Sequence, residues 1–292
     1  MIDVFDFRTI ESSFRRPVSA MADETWQVIP ERDRGTQGQA PTTHLLACFQ
    51  DDQTEEVRAY ADYLSGLLQG QISFLEVPAE GGFQRIRKEA GDCDLIVFGE
   101  PKQSLIKLLL SGQHCHEAVN QVPVSVLVTR QPRWPIQTIL LIVRVEETDE
   151  AAVGWVGRLA RPSGAKVSVL PVLSSFPSVY APASSEETAL GELLSPNTQP
   201  GQHLRGLSQR LAQWQIEGTL RFRQGQPEWQ IRWEVTEGNY DLIVIGAEPD
   251  DRWQRWLEGE LVAPILRWVN RPLLVARPTR APNSTVGDDK ID

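Results

Sequence analysis

Two pairs of glycines hold the spacing in this sequence that could do chemistry. Gly99 and Gly112 mark one stretch, DLIVFGEPKQSLIKLLLSG (Asp94–Gly112), and Gly246 and Gly259 mark another, DLIVIGAEPDDRWQRWLEG (Asp241–Gly259), at the same interval. In both, an Asp precedes an apolar run, the run ends on glycine, and a helical pattern follows. A buried parallel strand that feeds a glycine turn ends at the carboxyl edge of a sheet, where open α/β folds bind their ligands. The chemistry on offer is therefore ligand binding. Other candidates are weaker. His114-Cys115-His116 is the one His/Cys cluster, but consecutive helical residues diverge by about 100°, so the three cannot converge on a metal. The plainer reading is a helix surface with a half-buried Cys. Asp51 and Asp52 follow the first strand on the ligand edge and could hold Mg²⁺, although an adjacent acidic pair is more often a solvated turn. Asp94 and Asp241 lie at the opposite, amino edge and are read as structural. No positioned nucleophile and base can be assembled, so no reaction is assigned.

The elements that must position these glycines follow from pattern and composition. The chain has 292 residues, 41% of them apolar, and a net charge of -10. That is enough for two domains with real cores, and it argues against nucleic acid as a general partner. The three cysteines, Cys48, Cys93 and Cys115, are too scattered for a disulfide framework and fit a reducing compartment. No run approaches the ~20 apolar residues of a membrane span, and the amino end lacks the basic start and apolar run of a signal peptide. A cytoplasmic protein without membrane insertion is expected.

Residues 1–41 read as an extension and linker, with MIDVFDFRTI a candidate strand that could cover a sheet edge. From 42 to 131, strands and helices alternate: LLACF, a helix through QTEEVRAYADYLSGLLQG, ISFLEV, a short helix at GGFQRIRKEAG, DLIVFG, a helix opening at LIKLLL, and PVSVLVTR. PRWP (132–135) is the sharpest boundary. A second unit, 136–279, repeats the order at full length: ILLIV, a helix with a Pro-Ser-Gly stop, KVSVLPVL, a Ser/Pro-rich loop, HLRGLSQRLAQWQIEG, TLRFRQG, EWQIRWEVTEGN, DLIVIG, a helix around WLEGELVAPILRWVN, and PLLVARP. Residues 280–292 are expected to be a disordered tail. The first unit is shorter by one strand and one helix between ISFLEV and DLIVFG. The fold class expected is α/β: two tandem open-sheet, three-layer α/β/α units with mostly parallel five-stranded sheets, the first shortened.

This arrangement resembles the universal stress protein family in tandem form, an adenine-nucleotide-binding-like fold. The resemblance is carried by the opening strand and Ala/Leu-rich helix (ILLIVRVEETDEAAVGWVGRLARPSG), by the glycine-marked strand ends, by the GQP of residues 225–227, and by the closing strands Pro123–Val128 and Pro272–Ala276. It implies, for one class of the family, ATP held between the first and fourth strands. A strand-one Asp then touches the adenosine, and a Gly-x₂-Gly-x₉-Gly-Ser/Thr loop cradles the phosphates. Gly99, Gly112, Gly246 and Gly259 match the outer glycines. The Asp position falls on Arg144 in the second unit and near Gln50 in the first; the middle glycine is Pro249 or Lys102; the hydroxyl position is Glu260 or Gln113.

Those departures have physical content. Proline donates no N–H and puts a ring where phosphate must approach. Glu248, Asp250, Asp251 and Glu260 place negative charge beside a polyphosphate, with Arg252 and Arg144 the basic residues to offset it. The first unit keeps Lys102 and the amide of Gln113. The reading is a non-enzymatic regulatory or protein-interaction module in which the phosphate positions, Gly99, Lys102, Gly112, Gln113, Arg144, Gly246 and Gly259, are candidate or vestigial. No cofactor is expected, and the alternative is a protein binding ATP or AMP through altered contacts, with weak hydrolysis. The expected partners are another protein or a second copy of the chain. The two units are expected to pack as an intrachain pseudo-dimer through their last strands. Of the nine tryptophans, Trp229 with Trp233 and Trp253 with Trp256 share helical faces. The plainer reading is an aromatic core between helices and sheet; the other is an apolar contact surface.

Overall fold

The computed structural model describes residues 5–6, 42–49, 54–78, 82–99, 124–144, 149–172, 195, 197–223, 226–246, 265 and 268–278. The strands are β1 (Phe5–Asp6), β2 (His44–Phe49), β3 (Gln71–Glu76), β4 (Leu95–Phe98), β5 (Ser125–Val128), β6 (Thr138–Arg144), β7 (Lys166–Val172), β8 (Gly218–Leu220), β9 (Leu242–Gly246) and β10 (Leu273–Ala276). The helices are α1 (Thr54–Leu68), α2 (Gly82–Glu89), α3 (Glu150–Ser163), α4 (Gln199–Gln213) and α5 (Pro227–Glu237). The expected alternation therefore holds across the described residues. The Pro-Ser-Gly stop works through Gly164, whose φ of 68° is the left-handed cap conformation that favours glycine and whose N–H bonds Ala160 O.

Where two sheets were expected, the strands form one, in the order β1-β8-β7-β6-β9-β10-β5-β4-β2-β3. Within β2–β5 and within β6–β10 every pairing is parallel. The two runs join by antiparallel pairing of β10 with β5, Leu274 opposite Leu127. The two parallel runs share a register: Leu45 pairs with Leu95 as Ile139 pairs with Leu242. It makes Gly99 the counterpart of Gly246. β1 pairs antiparallel with β8, so Phe5 and Asp6 cover part of that edge.

The core explains why the halves are not separable bodies. On one face, α1 and α3 lie over the seam, and a single apolar cluster runs from Leu45, Tyr60 and Val97 through Ile139, Trp155 and Val244 to Leu207 and Leu220. On the other face each half has its own cluster, Ile231 over Leu140 and Ile243 in one, Ile86 over Leu46 and Ile96 in the other. Polar bonds stitch the seam: buried Trp155 Nε1 donates to Ser125 Oγ at 2.8 Å, Arg277 N donates to the same oxygen at 3.0 Å, and Arg130 donates to Val269 O at 2.7 Å.

The Asp that precedes each repeated run clamps the start of the half's first strand. Asp241 Oδ2 accepts from Gln137 N, Thr138 N and Thr138 Oγ1 at 2.9, 3.0 and 3.1 Å. Asp94 Oδ2 accepts from His44 N at 2.9 Å. Each Asp N–H returns a bond to that strand, to Thr138 O and His44 O. The structural reading of both residues is the one the geometry supports.

Candidate functional site

The glycine-marked crevice of the second half lies where β6 ends at Arg144 and β9 ends at Gly246. α3 opens there, directly after Asp149. Asp149 carries the geometry. Its carboxylate is 1% exposed and accepts from Arg144 N at 2.9 Å through Oδ2. Its other oxygen, Oδ1, stands 2.7 Å from where a Cβ on residue 246 would be. A real Cβ does not tolerate that approach. Gly246 is thus glycine for a reason that needs no ligand: an internal carboxylate packs against its Cα. The left-handed backbone is not involved, since the one described glycine with positive φ is Gly164.

Around Asp149 the electrostatics are closed. His203 of α4 places Nε2 3.9 Å from Asp149 Oδ2. Burial, chiefly, depresses the imidazole pKa, Glu150 opposing and Arg210 assisting. His203 is therefore neutral at pH 7, and the long contact is no ion pair. Glu150 in turn takes Arg210 in a two-pronged pair at 2.5 and 3.1 Å. Nothing here aligns a nucleophile with a base. Among the described residues, no group of three His, Cys, Asp or Glu could hold a metal ion.

In the first half, β2 ends at Phe49 and β4 at Phe98, both buried. Gly99 N donates to Cys48 O at 3.4 Å, and Thr129 closes the strand end by donating from N and Oγ1 to Phe98 O at 2.7 and 2.6 Å. Lys102, Gly112, Gln113 and Gly259 lie outside the described residues, as do Gln50, Asp51, Asp52, the His114–His116 cluster, Pro249, Arg252 and Glu260. Of the expected site residues the structure thus places Gly99, Arg144 and Gly246, and it brings Arg144 and Gly246 together through Asp149. Asp149 was not singled out from sequence. Its signal was its place immediately before an apolar-periodic helix, the usual position of a capping Asp.

α5 corrects the expectation of an aromatic core. It buries Gln230, Ile231 and Glu234 and leaves Trp229 and Trp233 63% and 57% exposed. The inversion has a cause. Glu234, within the helix, is held from below by Arg223 Nε at 2.8 Å and by the Tyr240 hydroxyl, with Arg221 Nε at 3.6 Å. A buried carboxylate with these partners fixes the rotation of the helix and turns the indoles outward. Arg223 also lies 5.9 Å from the Trp233 ring centroid. Trp253 and Trp256 lie outside the described residues.

Residues 135–277 match the sequence pattern of the universal stress protein family, and that part of the chain has the family's type of fold. No curated protein matches the chain. Among solved structures, a universal stress protein from Archaeoglobus fulgidus is 14% identical, over 82% of this chain and 87% of that one, with a TM-score of 0.49. A functionally unknown protein from Pseudomonas aeruginosa PAO1 is 17% identical, over 82% and 83%, with a TM-score of 0.47.

Proposed function

We propose that this protein is a non-enzymatic regulatory or protein-interaction module of the universal stress type, with a role in stress response, in which the second half no longer holds ATP in the family's manner. The observation that carries the reading is the buried Asp149 carboxylate against Gly246. It puts a fixed negative charge, hydrogen-bonded to the end of β6, beside the strand end where a polyphosphate would need donors. A buried carboxylate at that point opposes the approach of a polyphosphate. The strand-one Asp that would touch adenosine is replaced by Arg144, and Pro249 and Glu260 stand in the loop sequence where a donor and a hydroxyl are expected. The outward indoles of α5 support the interaction half of the reading: a helix that buries a glutamate and exposes two tryptophans presents the residue type most enriched in interface cores. In this reading the two halves are an intrachain pseudo-dimer joined through β5 and β10.

The test is calorimetric titration of the full chain with ATP, ADP and AMP, with and without Mg²⁺. No saturable heat is expected at micromolar protein. Micromolar binding abolished by Lys102→Ala would assign a working site to the first half, and binding abolished by Arg144→Ala would assign one to the second. The second result overturns the loss of ATP from the second half, and the first overturns the expectation that the protein works without a nucleotide.

A further inference from the structure

We propose that the outer edge of β3 is a strand-addition site, which takes a short extended segment of a partner protein running parallel to β3. Small, hydroxyl and aliphatic residues alternate in that segment, and a basic residue follows them. The inference rests on the interaction-module reading for its biological meaning, but its evidence is separate from the glycine-marked crevice.

β3 is the last strand of the sheet, and among the described residues no strand pairs with its outer side. Its inner side is fixed by Gln71 N to Thr43 O at 2.7 Å and Val77 N to Phe49 O at 3.0 Å. Alternation along a parallel strand then turns the N–H and C=O groups of Ile72, Phe74 and Glu76 outward. The second half shows what such an edge is built to receive. Lys166 N bonds Gln137 O as Gln71 N bonds Thr43 O, so Val167, Ser168 and Val169 are the counterparts of Ile72, Ser73 and Phe74. There the outward groups are used: Val167 N donates to Glu217 O and Val169 O accepts from Arg221 N, both at 2.8 Å. The strand that uses them is β8, with Gly218, Thr219 and Leu220 opposite Val167, Ser168 and Val169.

The crossover that would supply this strand in the first half is too short to do so. Only 77–94 separate β3 from β4, and α2 with the 3-10 turn Ala90–Asp92 occupies most of it. α2 packs on the other face, with Ile86 in the cluster of Leu46 and Ile96. Side chains show the same vacancy. Val169 is fully buried, whereas Phe74 is 40% exposed, roofed by Arg58 at 5.0 Å from its ring centroid. Charge selects the partner further. Glu76 lies at the strand end, and Glu55 and Glu56 open α1 at the same edge; β8 is followed by Arg221 and Arg223. An edge with free main-chain groups gives affinity, and alternate side-chain positions give selectivity.

The probe is a peptide of this chain's own Ile216–Arg223, IEGTLRFR, added to the full-length protein. Amide hydrogen exchange is followed residue by residue. At saturation, exchange at Ile72 and Phe74 should slow by at least about tenfold. A peptide N-methylated at the positions of Thr219 and Arg221, which lacks the donors that reach the edge, should give no protection. Phe74→Pro, a substitution edge strands tolerate because the lost N–H faces outward, should abolish binding, with the unfolding midpoint read to confirm folding; the methylated peptide decides the matter if that variant unfolds. Binding without protection at Ile72 and Phe74, or equal binding of the methylated peptide, overturns the proposal. So does protection of both amides before peptide is added, whether a second copy or another segment of the chain provides it. Nucleotide heats are read without peptide, so this inference and the one above can fail independently.

Discussion

If Gly246 is glycine because of Asp149, the two positions must be energetically coupled, and the structure sets the size and sign. A Cβ at 246 would lie 2.7 Å from Asp149 Oδ1 and 3.6 Å from Ala152 Cβ. The methyl can be accommodated in two ways. Asp149 can rotate away, giving up the 2.9 Å bond from Arg144 N, a charge-assisted bond worth about 1.5–3 kcal/mol. Alternatively the carboxylate stays and the strand end or the start of α3 shifts, an overpacking cost of about 1–3 kcal/mol. The cheaper route sets the outcome, so Gly246→Ala should destabilise by about 2 kcal/mol. Asp149→Ala removes the obstacle and leaves the Arg144 N–H without this acceptor, again about 2 kcal/mol. In that background the methyl keeps only the ordinary van der Waals contact with Ala152 Cβ at 3.6 Å, and Gly246→Ala should cost less than about 0.5 kcal/mol, because alanine is no worse than glycine in a strand. The double variant is then more stable than the sum of the single effects by about 1.5 kcal/mol. Urea unfolding of the four proteins, followed by both tryptophan fluorescence and circular dichroism, measures this, coincident transitions being the condition for using the free energies. Additive effects would refute the packing account. A Gly246→Ala protein of unchanged stability that had lost nucleotide binding would show instead that the glycine serves a phosphate.

The amino-edge clamps and a buried phenol supply two more tests. Asp241→Ala removes the acceptor for Gln137 N, Thr138 N and Thr138 Oγ1, while Asp94→Ala removes that for His44 N; losses of about 3 and about 1.5 kcal/mol are expected, read as urea midpoints at constant slope, and a reversed order would contradict the clamp geometry. Burial first, and then the bond to Glu234, push the Tyr240 hydroxyl up from 10.0 to about 12. Because the folded value lies above the unfolded one, its contribution is fully present below pH 10 and is lost as pH rises from 10 to about 12. Tyr240→Phe should flatten that alkaline limb of the stability curve, and an unchanged limb would show that other groups set it.

Much of the fold was legible because most of its strands are short apolar runs, two of which, β4 and β9, begin after Asp and run into glycine. That signal depends on local composition and survives without partners. The missing strand and helix of the first half could be counted from length alone. What could not be read was anything decided between elements. Periodicity in DLIVIG and PLLVARP shows two buried strands; that the last strands of the two units meet was expected from the family resemblance alone, and that they pair edge to edge and make one sheet of the two runs was not read. α5 shows the limit most clearly. In PEWQIRWEVTE the largest apolar side chains lie on one face, and the expected core was built on them; the face that is buried carries Gln230 and Glu234. Arg223 and Tyr240, from outside the helix, decide its rotation, and a single-helix pattern does not contain them. Asp149 was missed for a related reason. Its place before a helix suggests a cap, whereas its carboxylate accepts from Arg144 N and fills the space where residue 246 would carry a Cβ, at two strand ends.

The antiparallel seam constrains how the two halves can act together. Because β5 and β10 run in opposite directions while every other pairing within each half is parallel, the carboxyl edges of the halves face opposite ends of the sheet. The start of β5 lies beside the end of β10, where Ser125 meets Arg277. A ligand at Gly246 and one at Gly99 therefore cannot share a crevice. Any influence of one on the other must pass through the seam or through the cluster that α1 and α3 share. That cluster is continuous on one face only, and the bond from Trp155 to Ser125 ties the helix that begins at Asp149 to the first strand of the seam. α3 is thus the one described helix with its amino end in the second half's crevice and its body against the first half. A change at Asp149 that moves α3 would be felt at Ser125 before it reached the opposite face, where the two halves keep separate cores.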